Sequence, residues 1–179
     1  MASIFDSSEF NQNLFFPRLD SNAGSVSADE IFVEVEPNCK VHARRHTSPK
    51  AKFSLLFFHG NGEIVSDYNE LAKYFGELGC ELIVCDYRGY GKSAGTPTLR
   101  NALRDASTIF NFLKINGKLK SRVCVMGRSL GSAPAIDLSA RFPEITCCVL
   151  ESGFADPIPL VERRGLRVDK ITSEENKLF

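Results

Sequence analysis

Gly127-Arg128-Ser129-Leu130-Gly131 is the stretch of this chain whose residue types and spacing could do chemistry. It closes the apolar run Arg122–Met126 and leads straight into a small-residue helical pattern, Leu130–Arg141. A serine between two glycines on a strand-to-helix turn projects its hydroxyl above the edge of a sheet. It also sits over a helix N-terminus, whose free N–H groups favour a developing oxyanion. Side chains at Gly127 or Gly131 would block the close approach of strand and helix that such a turn requires. The chemistry this suits is nucleophilic attack by Ser129 on a carbonyl carbon. By itself Gly-x-Ser-x-Gly could be a plain glycine-rich turn, so the elements around it decide its meaning.

Those elements alternate. Phe53–Phe58, Glu81–Cys85, Arg122–Met126 and Ile145–Leu150 are short, nearly continuous apolar runs that suit strands covered on both faces. Helical patterns separate them. Ser66 is placed to cap a helix with Tyr68, Leu71, Ala72, Phe75 and Leu78 inward, ended by Gly79. Thr96-Pro97 opens the next, with Pro97 at its first position. Its inward set is Leu99, Ala102, Leu103, Ala106, Ile109, Phe110 and Leu113, and Asn116-Gly117 ends it. Upstream, Ile31–Glu36 and Cys39–Arg45 alternate around Pro37-Asn38 and read as a hairpin of two half-exposed strands. The pattern predicts an α/β fold: a mostly parallel sheet with helices on both faces, entered by an N-terminal hairpin. Residues 1–30 form a polar N-terminal segment whose apolar patch Leu14-Phe15-Phe16-Pro17 should pack on the domain. Residues 31–154 form the domain, and 155–179 a charged surface segment with one short helix.

Two further motifs stand in order before the serine: Phe58-His59-Gly60-Asn61-Gly62 and Asp86-Tyr87-Arg88-Gly89-Tyr90-Gly91-Lys92-Ser93. With Gly127–Gly131 they make the chain resemble the α/β-hydrolase superfamily. It looks most like the serine hydrolases called α/β-hydrolase-domain-containing proteins, a group with depalmitoylase-like members. The resemblance runs from about Asn13 to about Phe154. It implies an α/β-hydrolase fold and hydrolysis of a carboxylic ester or thioester, through an acyl-serine on Ser129. The substrate would be a small molecule or an acyl-protein, and neither cofactor nor metal is implied. The backbone N–H groups of Asn61 and Leu130 would form the oxyanion hole. His59 falls in the oxyanion loop as a structural residue and not as the base. Tyr87 and Arg88 would brace loops, Asp105 would be a solvated or structural carboxylate, and Arg128 would make a surface ion pair.

The sequence departs from the family downstream. Ser, then Asp or Glu, then His is the family's order, yet no histidine follows Ser129; His42, His46 and His59 all precede it. Asp156, and less plausibly Glu151, stands where some relatives carry the acid one strand early. An acid there orients an imidazole and has nothing to orient without one. The family's later strands are also absent, and the expectation is a fold with its C-terminal part missing. Two explanations stay open: the front part of a longer hydrolase, or a shortened chain that keeps the fold for a binding or regulatory role. Either way Ile145–Leu150 becomes an apolar open edge that invites pairing with another chain, including a second copy.

Composition excludes several other classes. Lys+Arg and Asp+Glu are both 22 in 179 residues, so no basic field advertises nucleic acid. The positives between Lys40 and Lys52 read as a solvated surface. Residues 1–20 lack a signal-peptide pattern, and no run reaches membrane-spanning length. The six cysteines show no zinc-ligand spacing and read as reduced thiols of a cytoplasmic protein. The side chains of Cys147 and Cys148, adjacent in a strand, should point to opposite sheet faces.

Overall fold

A computed structural model describes residues 6–21, 27–154, 158–163 and 165. Helix α1 (Ser8–Leu14) precedes a hairpin of β1 (Asp29–Glu36) and β2 (Cys39–His46). Then follow β3 (Phe53–Phe58), a 3-10 turn (Val65–Tyr68), α2 (Asn69–Glu77), β4 (Cys80–Cys85) and α3 (Leu99–Ile115). The last elements are β5 (Val123–Arg128), a 3-10 turn (Ser129–Gly131), α4 (Ser132–Arg141), β6 (Ile145–Glu151) and α5 (Ile158–Arg163). The six strands form one sheet in the order β1-β2-β4-β3-β5-β6. The pairs β4–β3, β3–β5 and β5–β6 are parallel, while β1–β2 and β2–β4 are antiparallel. Asn38 takes φ 63° in the hairpin turn, a left-handed conformation that asparagine tolerates well.

Alternation along the strands divides the core. Leu56, Phe58, Ile83, Cys85, Val123 and Val125 face one way, against α1, α3 and α4. Leu55, Phe57, Leu82 and Val84 face the other, over Val65, Tyr68 and Ala72 near α2. Helix α3 presents the expected stripe; only Leu103 is half-buried where full burial was expected. Its cap is Thr98, whose hydroxyl accepts from the Asn101 N–H, so Pro97 lies outside the helix. The segment 64–78 departs further from expectation. Ser66 belongs to the 3-10 turn, α2 begins after Tyr68 without a side-chain cap, and Leu71 and Leu78 are exposed. A 3-10 turn rotates successive side chains by a different angle from an α-helix, so an α-helical count started at Ser66 drifts off the buried face.

The hairpin also differs from its alternating pattern. β2 is an inner strand between β1 and β4, and its polar residues His42, Arg44 and His46 are buried. Arg44 donates to Glu30 and Asn69, so this part of the positive stretch is a buried ion pair and not a solvated surface. At the other end β6 is exposed on both faces along nearly its whole length, as its edge position dictates. Leu14 and Phe15 are buried, so half of the N-terminal patch packs inward as expected, while Phe16 and Pro17 stay exposed.

Candidate active site

Ser129 follows the last residue of β5 and opens the 3-10 turn that leads into α4. Its side chain is exposed and its φ is 50°. That left-handed backbone is uncommon for a residue other than glycine and persists only where surroundings over-determine it. The two glycines supply that constraint. A Cβ on Gly127 would lie 2.7 Å from the Ser132 Cα, far inside van der Waals contact. Ser132, fully buried, donates its hydroxyl to the Ser129 carbonyl at 2.7 Å. Strand, turn and helix are thus pressed together backbone against backbone, and Ser129 is turned outward.

β3 lies beside β5 with Phe58 opposite Gly127, so the loop after β3 leaves the sheet next to Ser129. This loop is tied down residue by residue. His59 is fully buried, with Nε2 3.1 Å from Asp86 Oδ1 and Nδ1 2.8 Å from the Gly60 carbonyl. The Tyr87 hydroxyl donates to the His59 carbonyl at 2.7 Å. The Gly60 N–H donates to Glu63 at 2.7 Å. Asn61 Oδ1 accepts from the Phe16 N–H and the Tyr90 hydroxyl, at 2.9 and 2.6 Å, and its Nδ2 donates to the Leu14 carbonyl at 2.6 Å. The Asn61 side chain therefore serves the N-terminal segment and Tyr90. Arg18 Nε donates to the Gly62 carbonyl at 3.0 Å. Leu130, the other proposed donor, is buried in the first turn after β5, where N–H groups lack partners within the helix.

Glu63 links this loop to the serine turn. Its Oε2 also accepts from the Tyr68 hydroxyl at 2.6 Å, while Oε1 faces Arg128 at 3.2 Å. Burial, reinforced by this carboxylate, pushes the Tyr68 hydroxyl well above its ordinary range. Arg128, almost half exposed, lies 3.6 Å from Glu151 as well, which is the surface ion pairing expected of it. Asp86 is the second organiser. Burial alone would raise its pKa, but hydrogen bonds from His42, His59 and the Val65 N–H outweigh that and hold it at about 2. Neither Glu63 nor Asp86 carries a signal that ranks it above other acids in the sequence. Their roles depend on loops that only the sheet brings together.

The remaining candidates resolve as structure. Arg88 grips Asp105 through two bonds, at 2.6 and 2.8 Å, and reaches Glu36 at 2.7 Å. Asp105 is a buried ion-pair partner. His42 is fully buried between Asp86 and Glu30, and His46 lies against α2 lining a surface cleft of about 390 Å³. Among the described residues no histidine is bonded to Ser129. Asp156 lies outside the described residues. No group of three or more His, Cys, Asp or Glu among the described residues could hold a metal ion. No described helix is long and apolar enough to cross a membrane.

The family model described as serine aminopeptidase, S33, matches residues 49–173, more than half of the chain. The chain belongs to the α/β-hydrolase family. Within that family it is similar to human alpha/beta hydrolase domain-containing protein 17B, 36% identical over 110 residues, 59% of this chain and 37% of that protein. It is also similar to the Caenorhabditis elegans alpha/beta hydrolase domain-containing protein aho-3, 34% identical over 106 residues, 58% of this chain and 32% of that one. The match thus spans about a third of the length of these relatives. Among solved structures, an esterase from Pyrococcus furiosus superposes with TM-score 0.65 at 19% identity, covering 88% of this chain and 70% of that one. An α/β hydrolase from Novosphingobium aromaticivorans gives 0.63 at 20% identity, covering 79% and 50%. At such identities these two likenesses speak for the α/β-hydrolase fold alone.

Proposed function

We infer that this chain carries the nucleophile and oxyanion half of a serine hydrolase site for a carboxylic ester or thioester. The observation that carries the reading is Ser129 itself, exposed at φ 50° between β5 and α4. In the reaction Ser129 Oγ attacks the acyl carbonyl, and the N–H groups of Asn61 and Leu130 hold the resulting oxyanion. Collapse expels the alcohol or thiol and leaves an acyl-serine, which water hydrolyses. A serine hydroxyl needs a base to take its proton. All three histidines precede Ser129 and are buried, so none of them is placed to serve as that base. Asp156 is the possible acid of the site, and an acid in that role needs an imidazole to orient. The substrate is a small-molecule or acyl-protein ester met in the cytoplasm.

The same absence of an imidazole beside Ser129 supports a second reading, a non-catalytic hydrolase-like chain. It would act through the open edge of β6, including by pairing with a second copy. The test is a fluorophosphonate probe together with hydrolysis of a p-nitrophenyl ester, each compared with Ser129→Ala. Slow labelling and a weak rate, both lost in Ser129→Ala, support the first reading. A rate equal to that of Ser129→Ala leaves only the second. Without a triad member, characterised serine hydrolases retain roughly 10³–10⁴-fold acceleration over water, which sets the ceiling here.

A further inference from the structure

We propose that Cys124 and Cys147 form an oxidation-sensitive dithiol that closes to a disulfide between β5 and β6. The two stand directly opposite one another in the parallel register of these strands. Adjacent strands run about 4.8 Å apart, within the roughly 4.4–6.8 Å Cα separation that a disulfide accepts. Their side chains share one face. Cys124 packs with Leu55, Phe57 and Cys80 on the α2 side of the sheet. Cys148 instead directs its sulfur to the Ala135 carbonyl of α4, at 3.8 Å. Alternation then sends Cys147 to the α2 side, where it stands across from Cys124.

No other pairing satisfies these conditions. Cys80 lies on β4, two strands from Cys124, with β3 between them, and a gap of about 9.6 Å exceeds disulfide reach. Cys147 and Cys148 are neighbours in sequence but face opposite ways. Access completes the case: Cys147 is exposed and Cys124 half-buried, while Cys39, Cys80 and Cys85 are buried. Burial, together with the neighbouring Cys147 thiol, raises the pKa of the Cys124 thiol, so Cys147 is the thiol that meets oxidant first. With a peroxide as oxidant, the Cys147 thiolate attacks one peroxide oxygen, giving a sulfenic acid and one water. The Cys124 sulfur then attacks the Cys147 sulfur, the S–S bond forms, and the sulfenic oxygen leaves as a second water. Two thiols are oxidised and one peroxide is reduced.

The experiment treats the folded chain with dilute hydrogen peroxide, blocks free thiols, and maps tryptic peptides. The expected result is a loss of two hydrogens, four blocked thiols, and residues 123–128 joined to residues 142–163, reversed by dithiothreitol. Cys148→Ser should keep the link; Cys124→Ser and Cys147→Ser should each abolish it. Denaturant added before the oxidant should remove the preference for this pair. Over-oxidation of Cys147 without a link, a Cys147–Cys148 bond, or links only between chains would each overturn the proposal. Circular dichroism of each serine variant separates loss of the link from loss of the fold.

Discussion

A Cβ on Gly131 would lie 2.6 Å from the carbonyl carbon of Phe58. The turn carrying Ser129 therefore touches the end of β3 backbone to backbone, and this contact sets the His59–Glu63 loop beside the serine. Gly131→Ala should destabilise the fold by about 3 kcal/mol, because main-chain atoms cannot swing away as side chains do. Gly117→Ala is the control: φ is 61° there and no atom lies near a Cβ, so only backbone strain of about 1 kcal/mol applies. Urea denaturation of the two variants should separate them clearly. Equal losses would mean that turn and strand part freely.

Asn61 ties the loop after β3 to the N-terminal segment through two side-chain hydrogen bonds, with Phe16 and Leu14, and makes a third with Tyr90. Asn61→Ala should cost about 2 kcal/mol and loosen the segment around Arg18. Tryptic cleavage after Arg18 would then be faster than in the wild type under native conditions. Unchanged cleavage would show that the segment's other ties, among them Phe15 burial and the Arg18 bonds to Gly62 and Gly91, hold it without Asn61.

Arg88 and Asp105 form a buried, forked ion pair, and pairing raises the Arg88 pKa further. Asp105→Ala leaves the guanidinium with no carboxylate on that side and should cost about 3–5 kcal/mol. Arg88→Lys should recover little, since an ammonium cannot bridge both oxygens of the carboxylate. Thermal melts of both variants check this, and a near-wild-type Tm for Arg88→Lys would refute the importance of the fork.

Two buried groups make stability depend on pH in separate windows. Burial, with Arg44 nearby, lowers the His46 pKa from 6.5 to about 4. Between those values the unfolded chain takes up a proton that the fold refuses, so stability is complete above pH 6.5 and falls as pH drops to 4. The loss should approach 3 kcal/mol, as an order of magnitude, and should be absent in His46→Leu, about 1.4 kcal/mol corresponding to each pH unit. Asp86, held at about 2 against 3.8, contributes stability that is present above 3.8 and is lost toward 2. That second decline, about 2 kcal/mol from Asp86, should shrink in Asp86→Asn, while the part due to Glu30, also held at about 2, despite partial burial, by Arg44 and His42, and the His46 decline remain. Denaturant midpoints collected from pH 7 to pH 2 would test both.

Much of this protein follows from local pattern. Ser129, its flanking glycines, the strand–helix alternation and the buried stripe of α3 need only the residue sequence, because strand and helix periods and the space a side chain occupies are local properties. The order of motifs was enough to bring Asn61 and Leu130 beside Ser129 as candidates. Where a segment changes helix type, as at Val65–Tyr68, the period ceases to be a guide, and Leu71 and Leu78 fall on the outside.

Only tertiary structure decided what polar side chains do. His42 and Arg44 alternate with Val41 and Ala43 as they would on a solvated strand, and His46 follows at the same spacing, yet β2 is an inner strand and all three are buried. A carboxylate's role depends on which donors converge on it from elsewhere in the chain. Asp86 gathers His42, His59 and Val65, and Glu63 joins Gly60 to Arg128. Apart from Gly60, three residues before Glu63, these partners are distant in sequence and become neighbours only when β2, β3, β4 and β5 align. The sequence by itself determined the strand-to-helix turn that carries Ser129 and the class of fold, through spacing. The sheet decided which histidines were locked away from Ser129, because long-range pairing, and not residue type, sets burial and hydrogen-bond supply.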